Sequence, residues 1–243
     1  MKKVLITGSS GKIGKDLKGF INQHYEVIEL EKNDKLSENK FKGVNAVIHL
    51  AALTPIKDKR FSLKEYLEIN VELTKKILFY ASKHHVKTVI IPTSWSWMFK
   101  IGNYQYSKLL QEKIADKYRE LGLNIITLEL PEVITRDRKG VIQSIIERIG
   151  NDQSTTVDMI NINTITTRDI AVVCKKFIEG NNSKANNLYK ELVKTFDLYH
   201  YIKDVIKKES PDKLKYLKKG KAKIRSPIIN KDKTIIFPDF EIK

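Results

Sequence analysis

Cysteine is almost missing from this chain: among 243 residues only Cys174 carries a thiol. A single thiol closes no intramolecular disulfide and builds no cysteine metal cluster, so packing must hold the fold and no metal site is expected. Glycine and proline are modest, at 11 and 6 residues, which excludes collagen-like and low-complexity chains. Long apolar runs are missing too. The stretch that follows Lys2 and Lys3 stops at Ile6, short of a leader's apolar core, and no run approaches the length of a membrane span. A cytoplasmic enzyme with no membrane partner is therefore expected. Acidic residues are also scarce, 29 against 45 Lys and Arg, for a net charge of +16. Such a field attracts polyanions of any kind. The densest basic stretch is 213–225, where Tyr216 is the single aromatic. Without interleaved aromatics or a known module, a solvated basic surface is favoured over nucleic-acid binding, and a nucleotide-linked diphosphate lies between the two.

What is present is an alternation of short apolar runs with helical periodicity, the pattern of βαβ units. Strands are expected at Val4–Thr7, Glu26–Leu30, Ala46–Leu50, Val86–Ile91 and Asn124–Leu130. Helices are expected after Gly11, from Leu63 to His84, and from Tyr104 to Leu121. Beyond Pro131 the alternation loosens. Gly140–Ile149, Arg168–Ile178 and Thr195–Lys208 read as helices, and Thr155–Ile162, Asn187–Tyr189 and Thr234–Phe237 as short strands. The fold class expected is α/β, a Rossmann-type doubly wound parallel sheet with a small C-terminal substrate-binding lobe. Residues 1–131 would be the dinucleotide-binding core, and 132–243 the remaining elements with the lobe.

The sequence VLITGSSGKIG sets G-x-x-G-x-x-G after a strand and before a helix. Gly8 permits the turn out of the strand, Gly11 lets backbone approach a pyrophosphate, and Gly14 lets the helix pack closely. The helix amino terminus, with Ser10, Lys12 and Ile13, adds N–H donors and a positive dipole end. The bland alternative is a glycine-rich turn without a ligand. The second strand ends in Glu31, whose carboxylate can accept from adenosine ribose hydroxyls, favouring NAD over NADP; Lys32 could instead neutralise a 2′-phosphate. Glu29 competes, and is expected on the opposite face. Tyr104 and Lys108 form Y-x-x-x-K on one helical face, where the ammonium can lower the tyrosine's pKa and make it a usable base. His49 reads as a strand residue and Cys174 as core.

In chain order, TGSSGKIG at 7–14, VIHLAA at 47–52, NVELT at 70–74, VKTVIIPTS at 86–94 and YQYSKLLQE at 104–112 resemble the extended short-chain dehydrogenase/reductase superfamily, in particular its NAD-dependent epimerase/dehydratase family. LELPEVI at 128–134 resembles the strand that ends beside the nicotinamide, and TITTRDIA at 164–171 a segment near the substrate lobe. The resemblance implies an NAD(P)-dependent epimerase or ketoreductase acting on a nucleotide-activated sugar. It implies Tyr104 as general acid/base, Lys108 as its tuner and ribose ligand, Ser94 (or Thr93) bonded to the reacting oxygen, and Asn70 as an anchor of the long helix. Leu50, Ala51, Ala52 and Pro131 would line the cofactor, and a homodimer through the two long helices is common in the family. The segment 95–103 between Ser94 and Tyr104 is shorter than the family's usual loop, its Trp95 and Trp97 are expected to fill space, and Glu129 stands where an arginine is common. A cofactor-binding regulator without turnover is the alternative function.

Overall fold

A computed structural model describes residues 1–55, 61–94, 102–135 and 141–222. Trp95, Trp97 and the strand expected at Thr234–Phe237 lie outside the described residues.

Five parallel strands build the main sheet: β1 (Lys3–Thr7), β2 (Glu26–Leu30), β3 (Val44–His49), β4 (Thr88–Ser94) and β5 (Ile125–Leu130). Their spatial order is β2-β1-β3-β4-β5. The central strands are continuous apolar runs because both faces are covered: Val4, Leu5, Ile6, Val47, Ile48, Ile90 and Ile91 are fully buried. On one face pack α1 (Lys12–Ile21) and α6 (Thr167–Ile178), whose Leu17, Ile21, Cys174 and Phe177 meet Val4, Ile6 and Ile90. On the other pack α3 (Leu73–Lys83) and α4 (Asn103–Glu120), whose Ile77, Leu78, Ile114 and Ala115 meet Leu5, Val47 and Ile91. This is a Rossmann-like α/β fold. The chain leaves β1 toward β2 on one side and β3 on the other, so strand order reverses between β1 and β3. A crevice at the carboxyl ends of strands at such a point is where doubly wound sheets take ligands.

The long helix of residues 63–83 is not uniformly α. A capped first turn, α2 (Leu63–Tyr66), is followed by a π-helical stretch, Leu67–Glu72, before α3. Ser62 and Glu65 form a reciprocal capping box at its start.

After Pro131 come β6 (Glu132–Ile134), α5 (Val141–Gly150), β7 (Thr155–Met159), β8 (Asn161–Thr166), α6, α7 (Asn182–Leu192), β9 (Lys194–Asp197), α8 (Leu198–Glu209), a 3-10 turn (Pro211–Tyr216) and β10 (Leu217–Ala222). The expected strand at Thr155–Ile162 is instead two strands in two small sheets, β7 beside β10 and β8 between β6 and β9. The expected strand at Asn187–Tyr189 is helix. Ala185, Leu188, Tyr189 and Leu192 recur at helical spacing and pack on the first core, and that stripe outweighs any local strand preference. The expected helix at Thr195–Lys208 starts only at Leu198. Its first residues pair antiparallel with β8, and Asp197 caps the helix by accepting from His200 N at 2.9 Å. A third core gathers Ile149 of α5, Val157 of β7 and Leu198, Ile202 and Ile206 of α8. Among the described residues no helix is long and apolar enough to cross a membrane.

Candidate active site

The glycine loop follows β1 at the reversal point. Gly8 has φ +69°, and a Cβ there would come within 2.9 Å of the Ala51 backbone, so only glycine fits where this loop crosses the end of β3. A Cβ on Gly14 would sit 2.2 Å from the Gly8 carbonyl and 2.7 Å from Ser9 Cα. Gly14 therefore lets α1 close onto its own loop. Gly11 is different. Its Cβ would meet only the Gly8 carbonyl, at 3.1 Å, and otherwise face open space. Gly11 also begins α1, placing the helix's first N–H groups, around Lys12 and Ile13, at that open side. Open backbone and a helix amino terminus form a cradle that fits a dinucleotide's pyrophosphate.

Glu31 stands over this loop. Its carboxylate accepts from Ser10 N at 2.9 Å and from the Ser10 and Ser9 hydroxyls. Burial raises its pKa, but these donors outweigh burial and hold it below the ordinary carboxylate value. Glu29 is on the same side. The Ser9 hydroxyl reaches both carboxylates, and Lys18 pairs with Glu29 at 3.1 Å. The expectation that Glu29 faces away is corrected: residues two apart on a strand share a face.

At the far end of β4, the Ser94 side chain lies close enough to the Tyr104 phenol to draw its pKa down. Tyr104 lies in the first turn of α4. Tyr66 packs against it with ring centroids 5.9 Å apart. Burial raises the Tyr104 phenol, Ser94 draws it down, and Tyr66 raises it further, for a net upward shift. This corrects the expectation of a tyrosine lowered by Lys108. The Lys108 ammonium is turned to the Pro92 carbonyl at 2.9 Å and to Gln111 Oε1, and burial lowers its own pKa to about 8. Thr93, the alternative hydroxyl, is buried, and its Oγ1 has no hydrogen-bond partner.

Asn70 is fully buried in the π-helical stretch. Its amide accepts from Leu53 N at 2.6 Å and donates to Leu53 O at 3.0 Å and Ser107 Oγ at 2.9 Å. It thus ties the chain after β3 to α4, one turn from Tyr104. π-Turns of this kind concentrate at functional sites because they re-aim one side chain within a helix. Leu50, Ala51 and Ala52 follow β3 directly and are half-buried; Leu50 N donates to Thr7 O at 3.1 Å and Ala51 N to Thr7 Oγ1 at 3.0 Å. Pro131 links β5 to β6, and beside β6 an open cleft of about 160 Å³ is lined by Glu132, Ile134, Gln143, Tyr201 and Glu209.

Ser94, Tyr104, Lys108 and Asn70 thus converge around the start of α4, and Gly8, Ala51 and Glu31 around the glycine loop. The sequence reading missed the polar residues that join the two groups: Thr7, Thr74 and Gln111. Each is polar at a position whose helical or strand register faces the core, and that was the available signal.

The sequence model of the NAD dependent epimerase/dehydratase family matches residues 4–173. The chain belongs to this family. No curated protein matches it by sequence. Among solved structures it is similar to a UDP-N-acetylglucosamine 4-epimerase from Methanobrevibacter ruminantium M1 in complex with UDP-N-acetylmuramic acid (17% identity, 98% of this chain and 93% of that one, TM-score 0.70). It is similar also to MoeE5 in complex with UDP-glucose and NAD (16% identity, 92% and 87%, TM-score 0.68). A UDP-glucuronic acid 4-epimerase from Bacillus cereus in complex with NAD is similar over 73% of this chain and 74% of that one (15% identity, TM-score 0.61). At such identities the likeness carries the fold.

Proposed function

We propose that this family member is an NAD(P)-dependent epimerase or ketoreductase of a nucleotide-activated sugar, with Tyr104 as general acid/base. The observation that carries the reading is the approach of the Ser94 side chain to the Tyr104 phenol at the carboxyl end of the sheet, with Lys108 one helical turn on. The glycine cradle fits a dinucleotide, and relatives of this fold were crystallised with NAD and UDP-sugars. Bound there, the nicotinamide would accept or return a hydride. The chain's own residues manage the proton. Ser94, beside Tyr104, would orient the sugar oxygen toward the phenol. Burial keeps the Tyr104 phenol protonated at neutral pH, which suits proton donation to a carbonyl. Withdrawing a proton needs positive charge beside the phenol oxygen, and Lys108, four residues on along α4, would have to supply it. Glu31 at the end of β2 would accept from the adenosine ribose and repel a 2′-phosphate, so NAD is the preferred cofactor.

Two measurements test the reading. In titration calorimetry NAD should bind the wild type, and Gly11→Val should abolish binding by filling the open side of the loop. In single-turnover hydride transfer across a panel of nucleotide sugars, Tyr104→Phe should bind NAD normally yet lower the rate by about 10²–10⁴-fold. Equal rates would remove Tyr104 from the chemistry. NAD binding without transfer to any sugar would leave a cofactor-binding regulator.

A further inference from the structure

Between the glycine loop and Lys108 runs a chain of buried polar side chains whose hydrogen-bond directions are fixed. Thr74 has one hydroxyl proton and donates it to the Asn70 carbonyl at 2.8 Å, an oxygen that can only accept. Thr74 Oγ1 must then accept from both of its other neighbours, Gln111 Nε2 at 2.6 Å and His49 Nε2 at 2.9 Å. His49 therefore carries its proton on Nε2, which leaves Nδ1 to accept from the Thr7 hydroxyl at 2.7 Å. Thr7 Oγ1 in turn accepts the Ala51 N–H at 3.0 Å. At the other end, the Gln111 amide nitrogen is committed to Thr74, so its oxygen faces Lys108. Each polar atom along this chain has at least one partner, and no member can reverse without breaking a bond.

Gln111 lies three residues after Lys108 and seven after Tyr104, on the face that α4 buries against β4 and the long helix. Next to Ile114 and Ala115, packing alone would place an apolar side chain there, because a buried amide costs free energy unless every bond is made. The chain that satisfies it also aims it.

We propose that Gln111 is a positioning residue, held in one orientation by Thr74 and His49 so that its carbonyl oxygen fixes the Lys108 ammonium against the Pro92 carbonyl, one turn from Tyr104. This rests on the catalytic reading of Lys108 given above. The groups that act on Lys108 are few. Glu112 on its own helix favours its charged form, the neutral His49 approaches from β3, and β4 offers the Pro92 carbonyl. Burial lowers the pKa of Lys108 to about 8. The Gln111 oxygen is a neutral acceptor that favours the ammonium without adding a second charge.

The test reads Lys108 directly. The full chain is labelled with 13Cε-lysine, and the Lys108 resonance is assigned by its loss in Lys108→Arg and followed through a pH titration. The wild-type midpoint should lie near 8, below the exposed lysines. Gln111→Leu should move it down by about one unit. Thr74→Val, which frees the amide to turn, should also move it down, while Thr74→Ser, which keeps the hydroxyl, should restore the wild-type midpoint. A Gln111→Leu midpoint equal to wild type, in protein with wild-type circular dichroism, overturns the proposal. Should that variant not fold, equal midpoints for Thr74→Val and Thr74→Ser overturn it. These readouts do not depend on turnover, so an inactive wild type would sink the catalytic reading and leave this proposal to be decided by the titration. Where turnover is found, Gln111→Leu should lower kcat more than it changes KM, and more steeply at alkaline than at neutral pH.

Discussion

His49 shows what one buried side chain can impose. It is 2% exposed, and burial followed by the Lys108 charge pushes its pKa down to about 3 from an ordinary 6.5. Between those values the unfolded chain binds a proton that the folded chain refuses. Stability from this group is therefore complete above about pH 6.5 and is lost as pH falls toward 3. The expected slope approaches about 1.4 kcal/mol per pH unit. Between pH 6.5 and the carboxylate range, His49→Gln should flatten it in urea denaturation. A slope unchanged by that substitution would mean that His49 is protonated in the fold. Not all of this was legible in the sequence. Gly8, Gly11, Gly14, Ser94, Tyr104 and Lys108 stand out because their spacing along the chain is itself the signal. His49 read as an ordinary strand residue, and Thr74 as one residue of the expected helix, because their side-chain partners lie 25 or more residues away and only the folded sheet brings them together. The tyrosine's upward shift was equally hidden: helical spacing predicts that Lys108 is near, but not that it turns to Pro92 and Gln111.

At the scale of elements, the long helix of residues 63–83 carries the site because it is irregular. A 3.6-residue stripe predicts the helix and its buried face, but periodicity is blind to one widened turn at Leu67–Glu72. That turn points Asn70 at Leu53 and Ser107. Asn70→Leu keeps the volume and strips both main-chain groups of Leu53 of their partner, while the Ser107 hydroxyl keeps its bond to the Tyr104 carbonyl. Unpartnered buried polar groups cost about 1–3 kcal/mol each, so a loss of about 2 kcal/mol or more in urea denaturation is expected. Glu68→Ala, on the exposed side of the same stretch, should stay within about 0.5 kcal/mol. Comparable losses for both would show that the stretch contributes only as helix. The strands of the main sheet were legible within a few residues because parallel strands covered on both faces are unbroken apolar runs. Beyond Pro131 the small strands are short and half-covered, and there helix and strand were exchanged at Asn187–Tyr189 and at the start of α8.

For the whole molecule, the first core binds distant parts of the chain into one cooperative body: α6 and α7, from beyond residue 131, pack on α1 and the first strands. Cys174 lies in that core with no exposed surface, and burial pushes its thiol up to about 12. The protein thereby contains a clock. A thiol reagent can reach its single target only when the body opens, so the rate of modification counts openings rather than surface encounters. In denaturant one equivalent of an aromatic disulfide reagent should react at once; without it, the reaction should be slower by about 10³-fold or more. Reaction at the unfolded rate in native buffer would mean that the helix carrying Cys174 is not held. A compound that binds the folded form alone slows the clock, about 100-fold at a hundred times its dissociation constant. Dinucleotides and nucleotide sugars can therefore be ranked by the silence of one sulfur atom, before any reaction has been found to follow.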